Sequence, residues 1–238
     1  SATATVTAAP LTLTENNVTL GYGTKEANLV ASTPYGYTYS ALANGDAIGN
    51  VLTSAVTYKD NAYKNATAGT YTATTTYDAG TTGLTQEITN YTTGQTLGNY
   101  ILTVNPGTVT INKNTTALKV TPVGTTSTYG DAKTILDNET YTATGVDGET
   151  VTLEGTAVYT TSALKDNNQH TNDVGSYNLT LDSSSLSNKN YVVKTSYTTA
   201  DAITVTQASL TLKANDIFVV YGSAESKNTD KYGYTLTG

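Results

Sequence analysis

Three stretches of this chain run through a threonine-rich strand pattern and stop at the same dipeptide, Tyr-Gly. They are PLTLTENNVTLGYG (residues 10–23), TALKVTPVGTTSTYG (116–130) and ASLTLKANDIFVVYG (208–222). The pairs begin at Tyr22, Tyr129 and Tyr221, so successive copies lie 107 and 92 residues apart. A spacing near 100 residues is too long for one coil of a solenoid and matches a small domain in tandem. A chain built this way has to close a separate interior in each copy.

Other anchors recur in the same order. Asn44-Gly45-Asp46 corresponds to Asp147-Gly148-Glu149, and Gly69-Thr70-Tyr71 to Gly175-Ser176-Tyr177. Gly98-Asn99-Tyr100 corresponds to Asn188-Lys189-Asn190-Tyr191, and the strand pattern Gly107–Ile111 to Ala202–Thr206. Residues 4–13, ATVTAAPLTL, match residues 203–212, ITVTQASLTL, nearly position for position. The expected division is therefore a closing strand of a preceding repeat (1–8), one repeat (9–113), a second (114–207) and the truncated start of a third (208–238). On this reading the chain is a piece of a longer protein, its repeats joined by short linkers such as Asn112–Thr115.

Threonine makes up about a fifth of the residues, and 19 Tyr stand against one Phe and no Trp. Both abundant types favour strands while keeping a polar group for water. No apolar pattern of period 3.6 is sustained over three turns, so an all-β fold with at most short helical turns is expected. In the second repeat, strands are expected at 118–121, 126–129, 139–143, 150–153, 157–161, 176–181, 191–196 and 203–206. Gly145–Gly148 forms a turn, and 131–139 holds a helical turn or irregular crossover.

The acidic balance (net charge −7) and the absence of Arg disfavour nucleic acid, whose phosphates call for clustered cations. No apolar run is long enough for a membrane helix. With no Cys, the chain does without disulfide staples, which suits an extracellular protein that avoids mispairing and equally a cytosolic one. The one His, His170, sits in the polar run 165–173, where a solvated loop residue is expected. No nucleophile–base set or zinc-ligand set accompanies it, so no enzyme is expected. The oxygen-rich runs Asp166–Asp173 and Asp60-Asn61 offer the hard ligands calcium prefers, although Asp166–Asp173 lacks the Gly and closing Glu of an EF-hand loop.

Tyr35, Tyr37 and Tyr39 alternate, so a strand there presents all three on one face. Such a row either stacks on sugar rings or covers the core edge as a cross-strand aromatic row. The first repeat also carries about 15 surplus residues between Thr76 and Thr96, in which Leu84, Ile88 and Tyr91 fall at helical spacing. That insert and the Tyr35–Tyr39 face make the expected ligand patch.

The Tyr-Gly-Asp at Tyr129–Asp131, the Gly-Asp turn at Gly45-Asp46, the Gly-Thr-Tyr at Gly69–Tyr71 and the Asn-Tyr pairs at Asn99-Tyr100 and Asn190-Tyr191 together resemble the mostly β-grasp (MBG) and YDG-type tandem repeats of bacterial adhesins and secreted exoproteins. The resemblance extends over nearly the whole chain. It departs at Thr24 and Ser223 after Tyr-Gly, and at Glu149 after Gly148. It implies tandem β-grasp-like domains arranged end to end as an elongated rod, on the cell surface or secreted. The implied role is a stalk or spacer supporting adhesion or biofilm, with neighbouring repeats, host glycan or matrix protein, or like stalks as partners. No catalytic residues and no cofactor are implied. The alternative expectation is a carbohydrate- or matrix-binding module in which the repeats themselves contact the ligand.

Overall fold

The computed structural model describes residues 2–25, 35–60, 76–131, 135–137, 139–222 and 233–238. Strand takes up 44% of it and helix 5%, as expected of an all-β chain. The chain divides into two compact units.

The first unit comprises Ser1–Lys119, Ala143–Gly155 and Leu186–Val193. Its strands are β1 (Ala9–Glu15), β2 (Val18–Gly21), β3 (Tyr37–Tyr39), β4 (Tyr58–Asp60), β5 (Thr85–Ile88), β6 (Thr96–Leu97), β7 (Tyr100–Asn105) and β8 (Gly107–Asn112). They form two four-stranded sheets, ordered β3-β1-β7-β6 and β2-β8-β5-β4. The opening pair β1–β2 runs parallel to the late pair β7–β8, with Leu11 opposite Leu102 and Leu20 opposite Ile111. The break at Asn16-Asn17 in one pair faces the break at Pro106 in the other, where Pro cannot donate to a ladder. The strands come so close there that a Cβ on Gly107 would lie 2.3 Å from the Asn16 carbonyl oxygen, so only glycine fits.

The first sheet's core is Leu11, Leu13, Tyr100 and Leu102, packed with Leu52, Ile88 and Tyr91. The short helix α1 (Ile48–Val51) covers it through Ile48 and Val51. In the second sheet Val18, Leu20, Val109 and Ile111 are buried, on alternate positions of each strand. The helical spacing of Leu84, Ile88 and Tyr91 corresponds to no helix: 85–88 is strand β5. Leu84, Gln86 and Ile88 are all buried, so the true period is two, and the polar Gln86 at the middle position disguises it.

Glu15 ends β1 almost fully buried and joins the two sheets, its Oε1 accepting the Ile88 N–H at 2.6 Å. Burial pushes its carboxyl above the usual range, partly offset by that N–H and by Gln86.

Within the second unit (Val120–Thr142, Thr156–Ser185, Lys194–Gly238) lie β10 (Thr126–Thr128), β12 (Val158–Thr161), β13 (Leu164–Lys165), β14 (His170–Thr171), β15 (Gly175–Asp182), β16 (Ser196–Thr206), β17 (Thr211–Ala214) and β18 (Tyr234–Thr237). The two strands not yet placed, β9 (Lys119–Val123) and β11 (Thr140–Thr144), fall across the division in sequence. The main sheet runs β10-β16-β15-β12, again with a parallel pair, β10–β16, and a register shift between Tyr177 and Leu179. Ile135, Ala163, Leu179, Ile203 and Val205 form its core. In β17 and β18 every residue is exposed.

Several sequence expectations change in detail. Residues 150–153 form no strand beyond a bridge of Thr150 to Thr144, and 191–196 contribute only a bridge at Tyr191 before β16 begins. The polar run 165–173 contains the hairpin of β13 and β14, turning at 166–169 with Asp166, Asn167 and Asn168 all left-handed, as short amide and acid side chains tolerate. Of 131–139, residues 135–137 are a turn, and part of the segment lies outside the described residues.

Burying the ionised carboxylate of Glu15 costs stability. Because its folded pKa is raised, its favourable contribution is present below the usual carboxylate range and is lost as pH rises through the folded value. Glu15→Gln keeps an acceptor for the Ile88 N–H and removes the charge. The variant should melt at a higher temperature than the parent at pH 7, and the gap should narrow as pH falls toward about 4. Melting curves across that pH range check it.

Candidate functional site

The recurrent anchors meet in space. In the first repeat, Ala43–Gly45 is a 3-10 turn with Asn44 left-handed (φ 56°), and Asp46 follows it. The buried Tyr100 reaches this turn from β7. Its hydroxyl accepts the Ala43 N–H at 2.9 Å and donates to Asp46 Oδ2 at 2.8 Å. The second repeat repeats the arrangement. Asp147 is left-handed (φ 54°) within the Val146–Gly148 turn, and the Tyr191 hydroxyl accepts the Val146 N–H at 2.8 Å and donates to Glu149 Oε1. The Gly-acid anchor and the Asn-Tyr anchor are thus two halves of one latch. Burial, and then the hydrogen bond to the acid, push both phenols above their ordinary value.

The Tyr-Gly anchor has its own setting. In the first repeat the Tyr22 N–H donates to the Asn112 carbonyl (2.8 Å), and the Gly23 N–H to the buried Thr76 hydroxyl (2.9 Å). In the second, Tyr129 donates to the Thr206 carbonyl (2.8 Å) and Gly130 to the buried Thr171 hydroxyl (2.7 Å). Each Tyr-Gly is a hook, held at its root by the closing strand and one threonine.

Within the first unit the hook of the first repeat seats on the latch of the second. The Tyr22 ring meets Tyr191 edge to face, centroids 5.4 Å apart, and its hydroxyl donates to Glu149 Oε2 at 3.3 Å. Gly23 is left-handed (φ 80°) and lies against Val146, where a Cβ would come within 2.5 Å, so glycine is required on both counts. Around this centre lie the Lys25–Asp147 ion pair (2.8 Å), the Lys189–Asp78 pair (2.6 Å), and Asn190, which donates to Asp78 Oδ1 (3.0 Å) and accepts the Ala79 N–H (3.0 Å). Asn114, in the segment after β8, is held on both sides, its Nδ2 donating to the Tyr22 carbonyl at 2.8 Å and its N–H to the Asn190 carbonyl. Exposed ion pairs such as these add little energy, so the buried rings and the carboxylate dominate the joint.

The three tyrosines singled out from the sequence have separate roles. Tyr37 and Tyr39 share a face, 6.4 Å between centroids. Tyr37 is half-buried against the Leu11 core, while Tyr39 is 48% exposed. Tyr35 instead stacks on Tyr58 at 5.6 Å with an interplanar angle of 13°. Burial, then Tyr37 and Glu15, push the Tyr58 phenol up to about 12. From the insert, Ile88 and Tyr91 enter the same core, while Thr76 and Asp78 serve the joint.

His170 lies in its hairpin with Nδ1 3.3 Å from Asp166 and is largely exposed. Among the described residues no three acidic, His or Cys side chains gather as metal ligands; Asn61 lies outside them. No described helix is long and apolar enough to cross a membrane.

Comparison with known proteins found no matching family model, no matching curated protein and no matching solved structure.

Two outcomes follow for this site. Tyr22 and Tyr191 ionise above the ordinary tyrosine value, so their contribution is whole below pH about 10 and is lost as pH rises through their folded values. Tyr22→Phe should cost about 1 kcal/mol at neutral pH and make the alkaline loss of stability shallower, read from denaturant curves at pH 7 to 11. Tyr37→Ala should destabilise by roughly 2 kcal/mol through lost packing, and Tyr39→Ala by under about 0.5 kcal/mol.

Proposed function

We propose that this chain consists of structural stalk repeats of a bacterial cell-surface adhesin or exoprotein, projecting a binding region and supporting adhesion or biofilm. The observation that carries this reading is the seating of Tyr22-Gly23 on the Glu149–Tyr191 latch. One copy of the recurrent Tyr-Gly motif, Tyr22-Gly23, is seated against residues of the next sequence repeat, and Asn114, two residues after β8, bridges to Tyr191 beside it. A spacer needs such a hold, because a loosely tethered chain of domains would not hold a binding region at a distance. The mostly β-grasp resemblance supports the same reading, with tandem β-grasp-like domains in an extended series outside the cell.

Small-angle scattering of the chain tests it. A rod-like profile that becomes more compact or more flexible in a Gly23→Val variant is the expected result. A profile of a compact globule, unchanged by that substitution, would end the stalk reading. The half-exposed ring of Tyr39 beside Tyr37 favours a second reading, a carbohydrate- or matrix-binding module. Saturable glycan binding lost on Tyr39→Ala would put that reading first.

A further inference from the structure

The edges of the two sheets in the first unit meet at a pair of tyrosine rings. β3 is the outer strand of one sheet and β4 the outer strand of the other. Tyr35 lies two residues ahead of β3, and Tyr58 opens β4. Their rings stack nearly parallel, 5.6 Å between centroids and 13° between planes, and each is half-buried, so solvent reaches the stack. Two other ring pairs are arranged differently. Tyr22 and Tyr191 meet at 77° with both hydroxyls bound to Glu149, and Tyr37 and Tyr39 lie at 46° within one strand, where a bond would tie nothing new together. Composition sets where an oxidant acts. Cys, Met and Trp, which compete with tyrosine in giving up electrons, are absent, while Tyr occurs 19 times. One-electron oxidation of this chain therefore ends on tyrosine, and two tyrosyl radicals held in a stack are placed to combine.

We propose that Tyr35 and Tyr58 are an oxidative crosslinking site, joined ring to ring by a peroxidase-type oxidant with hydrogen peroxide as the electron acceptor. Each phenol gives up one electron and its hydroxyl proton. The two radicals form a carbon–carbon bond between ring positions ortho to the hydroxyls. The two displaced ring hydrogens pass, as protons, to the two oxygens and restore both phenols. The protein loses two hydrogen atoms overall, and one peroxide becomes two waters. A bond between ring edges needs the centroids only slightly closer than the stack holds them, so a short slide of one half-exposed ring over the other suffices. The bond joins residues 23 apart in sequence and ties the outer strands of both sheets. That is the closure a disulfide supplies in chains that have cysteine.

Peroxidase and hydrogen peroxide, applied to the whole chain at about 1 μM, test this, because groups within one molecule meet at a far higher effective concentration. Blue dityrosine fluorescence should appear in a product that runs as one chain, its mass lower by two hydrogen atoms. Cleavage before Asp46 and Asp60 should leave residues 1–45 bonded to residues 46–59, in which Tyr58 is the sole tyrosine. Tyr35→Phe and Tyr58→Phe keep both rings in place and should each lose that product. Tyr39→Phe removes a phenol that is 48% exposed and should leave the yield unchanged. The crosslinked chain should melt roughly 5 °C or more above the untreated one. Absence of dityrosine overturns the proposal. So does a crosslink that survives in both the Tyr35→Phe and Tyr58→Phe chains, since exposure and not stacking would then select the rings. A crosslinked chain that melts no higher than the untreated one overturns the closure of the sheet edges.

Discussion

The first repeat depends on a parallel ladder between the beginning and the end of its own sequence. β1 pairs early with the short β3, but its parallel partner β7, and β8 for β2, arrive about ninety residues later, with Leu102 of β7 facing Leu11 in the core. The second repeat closes in the same way through β10 and β16. The ladder also positions the Tyr-Gly pairs at residues 22 and 129. It brings the carbonyl of Asn112 to Tyr22 and that of Thr206 to Tyr129, which roots each hook. It also delivers the end of one repeat directly into the start of the next, where Asn114 bridges to Tyr191.

The joint combines a large apolar contact with a demanding polar one. Two tyrosine hydroxyls converge on one carboxylate as donors, and burial pushes both phenols further above their ordinary value. A carboxylate held by two donors is satisfied although partly covered. The left-handed residue before each Gly-acid pair, Asn44 or Asp147, turns the acid toward the tyrosine, which explains why Asn and Asp occupy that position.

The alternation of Leu11 with Leu13 and of Val109 with Ile111 made the strands and their buried faces legible in the sequence. The recurring Gly-acid and Asn-Tyr pairs were legible as anchors, but nothing in their spacing indicated that they grip each other. Thr76 and Thr171 were invisible, because a buried structural threonine looks the same as the dozens on the surface. Leu84, Ile88 and Tyr91 misled for a similar reason, since a buried polar residue, Gln86, broke the alternation that would have marked β5. The tyrosines at 35, 37 and 39 showed their alternation correctly, but not that Tyr37 would sink toward the core while Tyr39 stayed in water.

Late closure also governs when this protein can acquire its structure. A chain emerging from a ribosome or a secretion pore presents Leu11 and Leu13 long before Leu102 exists to cover them. Pairing at such long range is slow, because the intervening loop must be closed first. Each copy therefore closes its long-range ladder only once its final strand is available, and the last residues made decide when the first ones are covered.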